Sequence, residues 1–172
     1  LNSVIGIVLS SKPACNCLRP ALPRLALSGR QKPMAGRYQV LSIKKELIAI
    51  QNDLLNIGSA LANTEVSSQE LGVWSLSKRV KDFEIFIDKM TGEIPRLSNF
   101  ILPGGGETGS LLHFARTVCR RAERKIAFLA EREKIDRVII VYINRLSDLL
   151  FTMARFANFK EKKMEAVWKS NG

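Results

Sequence analysis

The chain has 172 residues, 46% of them apolar and 25% charged, which is an ordinary globular composition with room for one sizeable core. Its apolar runs fall far short of the ~20 residues that a membrane-spanning helix needs. The net charge is +11, and a single histidine with three cysteines gives little material for a histidine-based metal site or a Ser-His-Asp triad.

The positive charge is concentrated near the start of the chain. The first forty residues hold six basic residues and no acidic one, so they supply +6 of the net +11. The rest is only mildly basic, and a nucleic-acid-binding helical module would rest on this one stretch. A small polyanion such as a nucleotide suits a basic protein equally well. We therefore expect no nucleic acid and no membrane among the partners.

The first segments are a short helix and a long loop. Residues 1–10 resemble the end of an amphipathic helix, and the missing initial methionine suggests a fragment. Residues 11–38 contain four prolines and two glycines, which break helices and central strands. We expect a long, basic, flexible insertion there. Cys15, Cys17 and Cys119 fit no zinc spacing, which favours reduced thiols in a cytoplasmic protein and no structural metal.

Two amphipathic helices are predicted next, over residues 39–62 and 76–90, with a polar connection at 63–75. Their apolar residues recur three and four positions apart, as on one face of a helix. Thr91-Gly92 ends the second of them. The core positions are Leu47, Ile50, Leu54, Ile57 and Leu61 in the first and Val80, Phe83, Ile87 and Met90 in the second.

A fourth helix is predicted from about residue 110 to 133. Its core stripe comprises Leu111, Ala115, Val118, Ala122 and Leu129. Arg116, Arg120 and Glu123, at i, i+4 and i+7, line another face. This face is either a solvated surface with pairs along the helix or part of a binding site.

A fifth helix begins near residue 134 or 136 and extends as far as Trp168. It is strongly apolar, yet Asn144, Asp148, Phe151 and Arg155 share one stripe. Buried polar groups need partners, so the stripe indicates either an interhelical salt-bridge network, for example Asp148 with an arginine of the fourth helix, or a site. No strand pattern is present. The chain is predicted to be a single all-α domain over 1–172, a bundle of five helices.

The segment NFILPGGGETGS (99–110) joins the third and fourth helices. It lacks the lysine of a G-x-x-x-x-G-K-S/T phosphate loop, and neither a strand nor a βαβ context precedes it. We expect a flexible connection in which Thr108 or Ser110 caps the next helix. Three large apolar residues, 100–102, stand just before this turn, which indicates a ligand or subunit contact.

Three blocks in order resemble the PduO-type ATP:cob(I)alamin adenosyltransferases. They are FILPGG (100–105), HFARTVCRRAER (113–124) and YINRLSDLLF (142–151). IQNDLLNIGSALA (50–62) and LNSVIG (1–6) also resemble helices of that family, whereas residues 11–38 have no counterpart. The resemblance implies a five-helix bundle that assembles as a homotrimer with active sites between subunits.

The implied reaction transfers the 5′-deoxyadenosyl group of ATP to the cobalt of cob(I)alamin, giving adenosylcobalamin and triphosphate. ATP, Mg²⁺ and cobalamin are the expected cofactors and substrates. A cobalamin reductase and an adenosylcobalamin-dependent enzyme are possible partners. The expected location is the cytoplasm, or the mitochondrial matrix in a eukaryote.

The resemblance also implies roles for individual residues. Phe100 matches a phenylalanine under the corrin that displaces the lower axial ligand, which eases reduction to Co(I). Arg120 and Glu123 match residues at the ATP polyphosphate and its Mg²⁺, and with Phe100 they form the catalytic set. Asn144 matches a further ATP-contacting position.

Three more positions have implied roles. Arg116 matches an arginine in an intersubunit salt bridge, and Asp148 and Phe151 match positions on the corrin side. The family's T-K-T-G-D-x-G segment, which wraps the ATP phosphates, is absent from this sequence, as is an Asp-Glu pair whose aspartate joins Arg116. A degenerate, non-catalytic corrinoid-binding or scaffold protein is therefore the alternative function.

Overall fold

The structure is a computed structural model that describes residues 1–11, 35–62 (side chains from residue 43) and 75–169. It contains α1 (Asn2–Ser10), α2 (Ala35–Ala62), α3 (Leu76–Thr91), α4 (Glu107–Ala130) and α5 (Arg137–Lys160). Within these ranges the only β pairing is one isolated antiparallel bridge, between Ile101 and Val167. The predicted all-α, five-helix architecture is confirmed.

Helix α5 is the central element of the bundle, and it packs mainly against α4 and α3, while α1 packs against α4 and α2. Asp136 is the N-cap of α5, and its side chain accepts a hydrogen bond from the backbone N–H of Val138 at 3.0 Å. Most of the length of α5 is apolar and buried, as its sequence predicts. None of the helices in the described ranges has the length and apolar character needed to cross a membrane.

A polar network ties α2, α3 and α5 together inside the bundle. Arg79 of α3 donates to Glu46 at 2.6 Å and to Asp53 at 2.8 Å, both on α2. Tyr142 of α5 donates to the same Asp53 carboxylate at 2.8 Å. Burial, together with the charge of Asp53, raises the pKa of the Tyr142 hydroxyl, so it remains a donor. This network fixes α2 relative to the helices that carry the site.

Several predicted boundaries are wrong. Helix α2 starts at Ala35, so residues 35–38 are helical, and residues 12–34 of the predicted insertion lie outside the described residues. Helix α4 starts at Glu107 with Gly106 as its N-cap and no side-chain cap, which contradicts capping by Thr108 or Ser110.

The end of α5 is the largest error of the sequence analysis, because the helix stops at Lys160 and not at Trp168. Lys162 adopts a left-handed conformation with φ of 54°. The N–H groups of Lys162 and Lys163 then bond back to the carbonyls of Phe159 and Asn158, at 3.1 and 2.8 Å. This is a Schellman ending, and it turns the following residues away from the helix axis.

The core face of α4 agrees only partly with its prediction, in which Ala115 is correct. Leu112, Cys119 and Ile126 are buried, whereas the predicted Leu129 is 36% exposed. Contacts with α5 on one side and α1 on the other cover a wider sector of α4 than a single stripe. The predicted cores of α2 and α3 are correct, since their predicted residues are buried or pack against the core.

Candidate functional site

The first part of the site is a charged cluster on the facing sides of α4 and α5. Arg120 Nη1 donates to Glu123 Oε2 at 2.6 Å, and Asn144 Nδ2 donates to Glu123 Oε1 at 2.7 Å. Both carboxylate oxygens of Glu123 are thus held, one from each helix. The Arg120 side chain remains 43% exposed. Since a guanidinium has five N–H donors, it can also bind an anion from solvent.

The second part of the site lies around Phe151 of α5. The guanidinium of Arg116 stands 5.1 Å from the centre of the Phe151 ring, and the His113 ring contacts it edge-on at 5.9 Å. Arg116 Nε and His113 Nε2 are buried and have no hydrogen-bond partner among the described residues. Buried polar atoms of this kind usually have a partner, so these two nitrogens are exceptions within the described residues.

The pKa of His113 is set by its burial and by two charged neighbours. Burial lowers the pKa of His113, the charge of Glu165 opposes this, and the charge of Arg116 lowers the pKa further. The imidazole is therefore neutral at pH 7. No role of His113 was predicted from the sequence, although it is the first residue of the block HFARTVCRRAER (113–124).

The polar stripe predicted on α5 divides into separate groups. Asp148 pairs with Arg145 of its own helix at 3.2 Å, and Arg145 also pairs with Glu84 of α3 at 3.3 Å. The expected bridge from Asp148 to an arginine of α4 is not formed in the described ranges. Arg155 is buried and pairs with Glu165 at 3.2 Å. Within the described ranges, Asn144 is the member of this stripe that contacts the charged cluster.

The third part of the site is the segment of residues 95–106 between α3 and α4, called here the Phe100 loop. Phe100 stands at its tip and is 79% exposed, and Leu102 is 47% exposed. The Phe100 ring meets the Trp168 ring edge-on, with 6.3 Å between centroids. No ring contact joins Phe100 to Phe151 within the described residues, so the predicted corrin-side residues form two groups.

The glycine end of this loop is clamped, which corrects the expectation of a flexible connection. Asn158 of α5 is fully buried, accepts from the N–H of Gly106 at 3.0 Å and donates to the carbonyl of Gly104 at 2.9 Å. A Cβ at Gly105 or Gly109 would collide with the Asn158 amide, and Gly105 has a φ of 109°. The glycines permit this close approach. Sequence reasoning missed Asn158, and its only signal was an amide on an apolar helix.

These three parts define a class of protein: a helical bundle whose candidate site is formed by α4, α5 and the loop before α4. Residues 1–157 match the family model described as cobalamin adenosyltransferase. That match covers most of the chain, so the protein belongs to the cobalamin adenosyltransferase family. The resemblance found in the three sequence blocks is confirmed.

Individual relatives agree with this assignment. The chain is 41% identical over 118 residues to the corrinoid adenosyltransferase MMAB of Bos taurus, which is 67% of this chain and 49% of the bovine protein. It is 49% identical over 79 residues to the corrinoid adenosyltransferase of Bacillus subtilis, 46% of this chain and 41% of that one. The chain thus spans about half the length of the curated relatives it matches.

A solved structure shows the same fold. It is a variant of the PduO-type ATP:corrinoid adenosyltransferase from Lactobacillus reuteri, complexed with cobalamin and ATP. The TM-score is 0.77 at 29% identity, and the match covers 98% of this chain and 80% of the other. The relative therefore has this helical fold and binds both compounds.

Proposed function

We propose that this protein transfers the 5′-deoxyadenosyl group of ATP to the cobalt of cob(I)alamin and releases triphosphate. The observation that carries the proposal is the Arg120–Glu123–Asn144 cluster on the same α4–α5 scaffold as an exposed aromatic loop. A charged cluster suits a polyphosphate and an apolar loop suits a flat macrocycle. A homologous fold with both compounds bound supports the pairing.

At the phosphate end, Arg120 binds the polyphosphate and stabilises the charge that collects on the leaving triphosphate. Glu123 fixes the arginine and offers a carboxylate to Mg²⁺, a metal that is held by one or two carboxylates together with nucleotide phosphates. The residues fit this role, because each oxygen of Glu123 accepts one hydrogen bond and keeps a second lone pair that could bind Mg²⁺. Asn144 orients this carboxylate and lies within the ATP site.

At the corrin end, Phe100 lies against the lower face of the macrocycle. Its side chain has no lone pair and excludes water, so it leaves the lower axial position of the cobalt empty. Loss of that ligand makes reduction to Co(I) easier, and Co(I) is the nucleophile that attacks C5′ of the ribose. The protein itself contributes binding and orientation. Asp148 and Phe151 complete the corrin-side surface.

The active unit in this proposal is a homotrimer, with Arg116 at the contact between subunits. Arg116 forms no ion pair within the described residues, which supports this, because a carboxylate from a neighbouring subunit could pair with the terminal nitrogens of its guanidinium. Large apolar side chains on the outer surface support it too, among them Ile85 at 67% and Phe114 at 54% exposure. Sedimentation equilibrium should give three times the monomer mass.

The cellular setting follows from the reaction. A reductase must supply reduced cobalamin, and an adenosylcobalamin-dependent enzyme must accept the product. We place the protein in the cytoplasm, or in the mitochondrial matrix of a eukaryote, where the buried free thiol of Cys119 stays reduced.

The test uses protein expressed from the complete coding sequence, with ATP, Mg²⁺ and chemically reduced cobalamin, followed by visible absorbance. We expect conversion to the adenosyl form. Corrinoid binding without conversion would instead establish the non-catalytic alternative. Absence of both binding and conversion would overturn the assignment of this site altogether.

A further inference from the structure

The end of the described chain pairs with the tip of the Phe100 loop. The Leu102 N–H donates to the carbonyl of Ala166, and the Trp168 N–H donates to the carbonyl of Phe100, each at 2.8 Å. Ile101 and Val167 form the antiparallel bridge between these two bonds. Residues 164–168, called here the C-terminal clip, therefore hold the loop through backbone and ring contacts at the position of Phe100.

Helix α5 anchors both the loop and the clip through one side chain. Arg155 is buried and donates to the carbonyl of Pro95, where the loop begins, at 3.0 Å. The same guanidinium pairs with Glu165, the residue before the paired stretch, at 3.2 Å. The Asn158 amide fixes the far end of the loop. The loop is thus restrained at its start, its tip and its end.

The clip contributes little to the apolar core. Met164 is 91% exposed, Trp168 52% and Val167 48%. A segment that served only to cover the bundle would bury these side chains, because burial is what makes apolar residues stabilising. The specific contacts of the clip are made instead with a loop whose own aromatic residue stays 79% exposed.

We propose that the C-terminal clip preorganises the Phe100 loop for the corrinoid, with Trp168 as the positioning residue. The inference rests on the proposed function and names a further determinant of the same site. An unrestrained loop would lose conformational entropy when it binds a macrocycle. Because the clip orders the loop when the protein folds, this entropy is not lost again when the corrinoid binds. The edge-on indole limits the orientations open to the Phe100 ring.

Three variants of the full-length protein test the clip: Trp168→Ala, Trp168→Phe and, as matched control, Met164→Ala. The control removes an apolar side chain of the same segment that is 91% exposed. For each we would measure thermal unfolding, ATP affinity, amide hydrogen exchange at Leu102, and the four-coordinate Co(II) signal in magnetic circular dichroism with ATP and cob(II)alamin.

We expect Trp168→Ala to speed exchange at Leu102 at least about tenfold and to reduce the four-coordinate fraction several-fold, with unchanged ATP affinity. Trp168→Phe should restore most of both, since a ring is retained, and Met164→Ala should match the natural protein. If Trp168→Ala formed the same fraction of four-coordinate Co(II) as the unsubstituted protein, the inference would be overturned. An equal loss in Met164→Ala would overturn the positioning role of Trp168, because the effect would then not depend on the indole.

Failure of the inference is distinguishable from failure of the proposed function. If the natural protein forms no four-coordinate Co(II) and no adenosylcobalamin, the proposed function is wrong. If the natural protein does both and Trp168→Ala equals it, only the positioning role is wrong. The exchange at Leu102 tests the structural half of the inference without any corrinoid.

Discussion

Glu123 receives a hydrogen bond from each of the two helices that carry the site, and it sets the position of Arg120. The pair is partly exposed, so as a surface ion pair it adds little stability. Its significance lies in orientation, because a guanidinium fixed on one side presents its other donors in one direction. The residue-level predictions therefore concern substrate use more than folding.

Replacing Arg120 with alanine should chiefly weaken the use of ATP. We expect kcat/KM for ATP to fall about 10²-fold, the usual effect of removing one donor that stabilises developing charge. Steady-state kinetics with saturating reduced cobalamin measures this. Arg121→Ala is the matched control, an exposed arginine of the same helix. Unchanged ATP kinetics in Arg120→Ala would remove this residue from the phosphate site.

Replacing Phe100 with alanine should impair the handling of cobalamin and leave the binding of ATP unchanged. Because the Phe100 side chain is exposed on its loop, its removal should leave the stability and the ATP affinity close to those of the unsubstituted protein. The four-coordinate Co(II) signal should disappear, since alanine cannot exclude water from the lower axial position. Leu97→Ala, also exposed on this loop, is the control. Loss of ATP binding in Phe100→Ala would show that the assignment to the corrin side is wrong.

At the scale of elements, the site depends on how α5 holds the segments at the end of the bundle. Asn158 and Arg155 both bond to backbone groups of the Phe100 loop, and Arg155 also reaches the C-terminal clip. These contacts turn a glycine-rich connection into a fixed element. The loop geometry is therefore a property of α5 as much as of the loop sequence.

Substituting Asn158 with alanine tests this dependence. It leaves the Gly106 N–H and Gly104 carbonyl without their buried partner, which should cost about 1–3 kcal/mol. Denaturant unfolding measures the free energy, and Asn52→Ala, an exposed amide on α2, should change it by less than about 0.5 kcal/mol. If the free energy of unfolding of Asn158→Ala equalled that of the unsubstituted protein, the hydrogen bonds of Asn158 to Gly104 and Gly106 would not stabilise the fold.

The helices could be predicted because their apolar residues repeat at helical spacing, and the cores of α2 and α3 followed directly. Residues 161–168 contain good helix formers, yet the helix ends at the left-handed Lys162, and residues 166–168 pair with residues 100–102. Such long-range pairing leaves no local signal. The Arg120–Glu123–Asn144 cluster was foreseen as stripes on two helices, but the contact between them required the packing of α4 on α5.

At the scale of the whole molecule, polar groups inside the bundle link its stability to pH. His113 is only 5% exposed and its Nε2 has no partner in the described part of the chain. Its pKa is lowered in the folded state, so the unfolded chain binds a proton that the folded protein rejects. This group therefore favours folding above its unfolded pKa of about 6.5, and the contribution is lost as pH falls.

Replacing His113 with glutamine should make the protein less sensitive to mild acid. The free energy of unfolding of the natural protein should fall between pH 7.5 and 5.5 more steeply than that of His113→Gln. The difference in slope cannot exceed the single-proton limit of about 1.4 kcal/mol per pH unit. Urea unfolding at several pH values measures both slopes, and carboxylates that titrate in this range contribute equally to the two proteins.

The neighbours of His113 define the control for this experiment. Glu165 and Arg116 are the charged groups that act on it, and both remain in the variant. Equal slopes would show that His113 titrates alike in the folded and unfolded chains, and a steeper slope in His113→Gln would reverse the sign. Either result would mean that its position against Phe151 does not exclude the proton. The predicted result would show that the buried position of His113 beside Phe151 and Arg116 lowers its pKa in the folded protein.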